Sequence, residues 1–85
     1  MRNIVAVFGN RNHTMQFASY LKRMGVRCKT IDTPRALSEA CGISVVFFEK
    51  DIELAKIILN RFRFATSKGL YLENGDIFKK YTRIM

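Results

Sequence analysis

The residues with the clearest chemical potential lie together in the segment TPRALSEACGISVVFFEK, residues 33–50. A cysteine thiol acts as a nucleophile or carrier only as the thiolate, which forms near neutral pH beside positive charge or hydrogen-bond donors. Arg35 lies six positions before Cys41 and could bring its guanidinium to the sulfur, and Ser38 could donate a hydrogen bond to it. Gly42 leaves the sulfur approachable. The segment therefore predicts a site formed by Arg35, Ser38, Cys41 and Gly42.

A structural role is the alternative for Cys41. If Cys41 ends a short helix, the negative end of the helix dipole lies beside its sulfur and disfavours the thiolate. Free cysteine is also among the most buried residue types, where it behaves as a small apolar group. Residue chemistry alone favours this structural role.

The hydrophobic pattern predicts the elements that must position this segment. Continuous apolar runs predict buried strands, and apolar residues at helical spacing predict amphipathic helices. Thr33 and Pro34 predict the start of a short helical turn that continues through Ala40 and ends near Gly42. The predicted elements are strands 4–8, 26–32, 43–48 and 69–73 and helices 12–24 and 52–62.

The ends of the helices also have predicted capping residues. Asn10 or Asn12 can cap the start of the first helix, and Gly25 suits the left-handed residue after its last turn. Asp51 is a natural cap for the start of the second helix.

The order of these elements predicts an α+β fold. It matches the ferredoxin-like βαββαβ plan, a two-layer sandwich with a four-stranded antiparallel sheet and two helices on one face. The length of 85 residues predicts a single domain over residues 1–85. Asn74 and Gly75 predict a two-residue hairpin turn, which would make 76–81 a fifth strand, although a short helix fits as well. We expect residues 74–85 to form an added edge strand or tail.

Composition limits the class of protein and its partners. The chain has 15 basic and 7 acidic residues, a formal net charge of +8, which attracts nucleic acid, anionic membranes or acidic proteins. The longest apolar runs are too short to cross a bilayer, and the N-terminus lacks a signal-peptide pattern, so we expect a cytoplasmic protein without a membrane partner. Cys28, Cys41 and the single histidine, His13, lack the spacing of a zinc site, so we expect no metal and no cofactor.

Two further patterns have alternatives that remain open. Basic and aromatic residues alternate between Arg61 and Arg83, as in proteins that bind single-stranded nucleic acid. A solvated cationic rim over core aromatics also explains this pattern and is the favoured alternative. The stretch CGISVVFF lacks most of the RNA-recognition signature. His13 near the first helix could contact an anion, but a polar surface role is favoured.

The segment TPRALSEACGISVVF resembles the signature of a family of small bacterial proteins described as selenium/sulfur-carrier-like. The pattern Pro-Arg-x-Leu-Ser-x-x-Cys-Gly is matched position by position by Pro34, Arg35, Leu37, Ser38, Cys41 and Gly42. The resemblance covers the full chain and implies that Cys41 holds sulfur or selenium as a persulfide or selenosulfide. It shifts the balance for Cys41 to a functional role.

The resemblance also indicates how such a carrier would work. Many members place a second cysteine two or three residues after the first, where this chain has Ile43 and Ser44, so a resolving thiol would have to come from Cys28. We therefore expect a carrier, more than a self-contained enzyme, that takes sulfur or selenium from an acidic protein partner resembling a cysteine desulfurase. The alternatives are a non-enzymatic nucleic-acid- or protein-binding module with a basic surface, and a subunit that forms a homodimer through residues 76–85.

Overall fold

The part of the chain that the structure describes forms a five-stranded sheet with two helices. The computed structural model describes residues 2–37, 42–75 and 78–85. The elements are β1 (Asn3–Phe8), α1 (Arg11–Arg23), β2 (Cys28–Asp32), β3 (Ile43–Phe48), α2 (Ile52–Phe62), β4 (Ser67–Asn74) and β5 (Lys80–Arg83), with 3-10 turns at Arg35–Leu37 and Glu49–Asp51. The strand order is β2-β3-β1-β4-β5, and every neighbouring pair is antiparallel.

The α+β class is confirmed, and the architecture is broadly ferredoxin-like. The sheet has five strands and not the four of the ferredoxin-like plan, because β5 pairs along the free edge of β4 as the added edge strand expected within residues 74–85. The predicted two-residue hairpin is also wrong: Asn74 remains in the strand, pairs with Lys80, and donates from Nδ2 to Thr82 Oγ1 at 3.2 Å. Gly75 supplies a positive φ of 88° at the start of this longer connection. Asp76 and Ile77, which begin the predicted fifth strand, lie outside the described residues.

The residues at its two ends explain where helix α1 begins and where it stops. The side chain of Asn10 accepts hydrogen bonds from the main-chain N–H groups of Asn12 and His13 at 2.7 and 3.2 Å, as a helix N-cap does. After the last turn Gly25 has φ of 79°, the left-handed conformation predicted for it. The prediction of this helix is confirmed, with its first residue at Arg11.

Helix α2 ends less typically. Asp51 occupies the predicted N-cap position at the end of a 3-10 turn, but its side chain makes no capping hydrogen bond. At the other end Arg63 is left-handed, with φ of 44°. Helices commonly end in this way on glycine, which has no Cβ to oppose it. The arginine at this position is unusual.

Strand β1 separates two apolar clusters. Its helix-facing residues Ile4, Ala6 and Phe8 belong to the larger core under α1 and α2. Val5 and Val7, on the opposite face, are equally buried and form a smaller cluster with Val46. The side chains that pack over this second cluster are Ile31, Leu37, Tyr71 and Tyr81. Both faces of the central strand are therefore covered, although the helices occupy only one.

The hydropathy of the helices agrees with this arrangement. Each helix buries one face in the larger core and exposes the other. Over residues 2–37, 42–75 and 78–85 no helix combines the length and apolar character that crossing a membrane requires.

Gly69 provides a test of the packing between β4 and the C-terminal residues. Its φ is 113°, and an added Cβ would lie 2.6 Å from the main-chain oxygen of Met85. We expect Gly69→Ala to lower the free energy of unfolding by about 2–4 kcal/mol, because backbone strain and a steric clash add. The measurement is urea unfolding.

Gly25→Ala is the matched control. Gly25 also has a positive φ, but no atom lies within 4 Å of its added Cβ. Only the strain of about 1–2 kcal/mol should therefore appear. Equal losses in the two variants would show that the C-terminal residues do not pack on Gly69 in solution.

Candidate functional site

The part of the signature segment between β2 and β3 starts at Thr33 and ends at Gly42. These two residues are hydrogen-bonded to each other and are called the neck. The main-chain N–H of Thr33 donates to the carbonyl of Gly42 at 3.0 Å. The Thr33 hydroxyl also hydrogen-bonds the Ser44 hydroxyl at 2.7 Å, and Ser44 is fully buried on the second face of the sheet. Since Thr33 and Gly42 are fixed to the paired strands β2 and β3, the connection between these two strands, called the loop, is anchored at both ends.

Leu37 fixes the first part of this loop. Its main-chain N–H donates to the Pro34 carbonyl at 2.9 Å, which closes the 3-10 turn. Its side chain packs on the cluster of Val5, Val7 and Val46. The turn therefore shares an apolar contact with the central strand.

The structure places two of the four predicted site residues. Arg35 is exposed on the 3-10 turn, and Gly42 is exposed at the neck, where an added Cβ would meet no atom within 4 Å. Ser38 and Cys41 lie outside the described residues, as does Ala40, through which the predicted helical turn continues. The contacts of Arg35 and Ser38 with the Cys41 sulfur accordingly remain predictions.

The antiparallel order brings the start of α1 to the same end of the sheet as this loop. Thr14, in the first turns of α1, is fully buried, and its hydroxyl lies 3.2 Å from the carbonyl of Asn10 and 3.5 Å from that of Ile43. The amino end of a helix carries partial positive charge. This charge lies beside the start of β3, directly after Gly42.

His13 has a structural partner that the sequence did not reveal. Its Nδ1 is 2.6 Å from Thr66 Oγ1, and its ring contacts Phe64 edge-on at 5.6 Å between centroids. The residue is half-buried. It joins α1 to the connection between α2 and β4, a contact across 53 positions that no local pattern could indicate.

Cys28 is poorly placed to resolve a persulfide on Cys41. It starts β2 opposite Phe47, four residues, or about 13 Å of strand, from Asp32. Its half-buried thiol packs against the core and donates to the carbonyl of Ala18 at 3.6 Å. Burial raises the pKa of this thiol, although Lys22 partly opposes the effect. The geometry does not favour a resolving role for Cys28.

The basic and aromatic residues of the second half do not form one surface. Phe64 is buried in the core against Phe8 and Phe17, whereas Phe62 is exposed and stacks on Tyr20 at 4.1 Å between centroids. Phe78 is 85% exposed on the connection before β5. Alternating residues in the sequence are thus divided between the core and separate parts of the surface.

The comparisons with known proteins agree with the signature segment. A family described as "Putative Se/S carrier protein-like" matches residues 3–71, which include β1 through most of β4 and the whole loop between Thr33 and Gly42. The chain belongs to this family. No curated protein and no solved structure matches the chain.

The neck can be tested through its hydroxyl pair. We expect Ser44→Ala to lower the free energy of unfolding by about 1 kcal/mol, because the substitution removes a buried hydrogen bond. Hydrogen exchange at the Thr33 amide, which donates to Gly42, should also become faster. Thr82→Ala removes an exposed hydrogen bond to Asn74 and serves as the control. Unchanged exchange at Thr33 in the Ser44 variant would contradict the role assigned to the pair.

Cys28 gives a prediction about pH. The pKa of the Cys28 thiol is raised above its ordinary value of 9.0 in the folded state. As the pH rises past this value, the thiol therefore loses its proton in the unfolded chain before it does so in the folded chain. The folded state then binds more protons than the unfolded state, so its stability must fall with increasing pH. We expect the free energy of unfolding of the wild type to decrease relative to that of Cys28→Ser above about pH 9. Parallel pH profiles in chemical denaturation would contradict the burial of this thiol.

Proposed function

We propose that the protein carries sulfur or selenium on Cys41, as a persulfide or selenosulfide, and delivers it to a partner protein. The observation that carries this proposal is the family match across the whole loop that contains Cys41. The anchored neck supports it, because both ends of the segment that contains Cys41 are held side by side at the sheet, which limits where the sulfur can be presented. The assignment to Cys41 comes from the signature in the sequence.

The chemistry requires no added oxidant. The thiolate of Cys41 attacks the outer sulfur of a persulfide on the donor protein. A new sulfur–sulfur bond forms to Cys41, the bond within the donor persulfide breaks, and the donor cysteine leaves as a thiolate. Delivery repeats the exchange with an acceptor thiolate, so the number of electrons is conserved in both steps. The selenium transfer follows the same course through a selenosulfide.

The surroundings of the loop favour the thiolate that this exchange needs. In this proposal Arg35 and Ser38 stabilise the charged sulfur, and the amino end of α1 adds positive potential. The absence of a cysteine two or three residues after Cys41, and the half-buried position of Cys28 against the core, favour carriage over dithiol redox exchange. A cytoplasmic location, which keeps such thiols reduced, is part of the same proposal.

The charge distribution supports an acidic donor or acceptor. The sheet end that holds the loop carries exposed cations at Arg11, Arg35 and Lys68, with Asp32 as the acidic side chain among the described residues there. Glu49 and Glu73 belong to the opposite end, beside the start of β1. Opposite charges on two partners steer their encounter and fix its orientation.

The test is sulfur loading followed by intact mass measurement. The protein is incubated with a cysteine desulfurase and cysteine, and we expect the wild type to gain the mass of one sulfur atom that a reductant removes. Cys41→Ser should gain none, because the accepting thiolate is absent. Cys28→Ser, which keeps Cys41, is the matched control and should load like the wild type.

Two results would refute the carrier proposal: no addition to the wild type from either the desulfurase or a small-molecule persulfide, or equal addition to the wild type and Cys41→Ser. Loading from a small-molecule persulfide provides a second arm. Normal loading by this reagent with no loading by the desulfurase would retain Cys41 as the carrier and exclude only that donor.

A further inference from the structure

Strand β2 has one backbone side without a strand partner in the described part of the chain. It stands first in the order β2-β3-β1-β4-β5, so only β3 pairs with it. The N–H of Thr33 donates to the carbonyl of Gly42, and main-chain bonds alternate along an antiparallel pair. By this alternation, the N–H and C=O groups of Cys28, Thr30 and Asp32 point away from β3. Such an edge is a template for another strand.

An open groove of about 420 Å³ lies beside this outer edge of β2. Thr30 of β2 lines it together with residues of α1. Among these, Met15 and Ala18 supply apolar surface, and the side chain of Met15 is half exposed. Successive side chains of a strand point to opposite faces, so every second side chain of an added strand would point toward α1. The groove therefore offers apolar contacts to a strand that pairs with β2.

Exposed cations lie near this edge on both faces of the sheet. Lys22 lines the groove on the helix side. Lys29 belongs to the other face, because it pairs with Val46 of the second apolar cluster. Arg27 directly precedes the strand, and Asp32 at its far end is the acidic side chain of β2. The ion pairs among the described residues include none of these three cations.

These charges decide which kind of strand the edge admits. A second copy of the chain would bring its own Arg27 and Lys29 to the contact, and like charges on paired strands are destabilising. The formal net charge of +8 adds repulsion between two copies. A strand with acidic side chains gains opposite-charge contacts instead. Charge complementarity therefore favours an acidic partner over self-association.

We propose that the outer edge of β2 binds an extended acidic segment of another protein, which adds a further strand to the sheet. The main chain of this segment pairs with the outward N–H and C=O groups of β2. Its apolar side chains contact Met15 in the groove, and its acidic side chains contact Lys29 on the other face. Since β2 leads directly to Thr33, the bound segment lies beside the neck. The proposal does not depend on the carrier function, and it is tested without sulfur transfer.

The test is titration with an acetylated and amidated peptide of about seven residues in which Val and Glu alternate, followed by ¹⁵N–¹H NMR at constant ionic strength. We expect saturable shifts and slower hydrogen exchange at the amides of Cys28, Thr30 and Asp32. The amides of Lys29 and Ile31 point to β3, so their exchange should change little. Shifts that do not saturate, that spread over all basic surfaces or that centre on β5 would overturn the proposal.

Two altered peptides separate main-chain pairing from general charge attraction. A peptide with Lys in place of Glu keeps the strand pattern and should not bind. A peptide with proline at its centre keeps most of the charge but lacks a main-chain donor, so it should bind several-fold more weakly. Binding of either peptide as strong as that of the first would overturn the proposal. So would β2 shifts that depend on protein concentration without peptide, because they would show a second copy at this edge.

Variants test the same edge from the side of the protein. Thr30→Pro removes an N–H that β3 does not use, a substitution that edge strands tolerate, so the protein should stay folded in thermal unfolding but lose the peptide. Lys29→Glu should weaken peptide binding several-fold. Lys80→Glu reverses an exposed charge on the opposite edge strand, β5, and is the matched control with wild-type affinity. Wild-type affinity in Lys29→Glu, or in a folded Thr30→Pro, would overturn the proposal.

Discussion

The burial of β1 on both faces is the constraint on which the rest of the structure depends. A continuous apolar strand in the middle of a sheet must be covered on each side, and two helices cover only one. The second side is covered by residues from the flanking strands and by Leu37 of the signature segment. Leu37 therefore links the stability of the central strand to the position of the loop that contains Cys41.

The antiparallel order then determines what surrounds that loop. The end of β1, the start of β3 and the start of β4 meet at one end of the sheet, where α1 also begins. Positive helix potential and exposed cations are thereby collected beside the closed neck of Thr33 and Gly42. A cavity at the same end of the sheet is lined by Arg63 and Arg83. It lies between the connection from α2 to β4 and the last residues of the chain. One end of the sheet therefore holds both the neck and this cavity.

Local signals in the sequence predicted much of this arrangement. The cap at Asn10, the left-handed Gly25 and the apolar run of β1 each depend on neighbouring residues, and the structure confirms all three. The prediction of a two-residue hairpin turn at Asn74 was wrong. Strand pairing of Asn74 with Lys80 and its hydrogen bond to Thr82 outweigh the local turn preference. The His13–Thr66 contact and the cavity of Arg63 and Arg83 join distant parts of the chain, so no periodicity or spacing could predict them. Nor could any local signal show that Leu37 packs on the second face of β1.

The central claim is that the transferred sulfur is attached to the thiol of Cys41. It is tested most directly by locating that sulfur in the chain. Trypsin cleavage after Arg35 and Lys50 places Cys41 on peptide 36–50, while cleavage after Arg27 and Lys29 places Cys28 on peptide 28–29. After loading and alkylation of the persulfide, mass spectrometry should find the additional sulfur on peptide 36–50. Additional sulfur on peptide 28–29 alone, or on neither peptide of a loaded sample, would contradict the account.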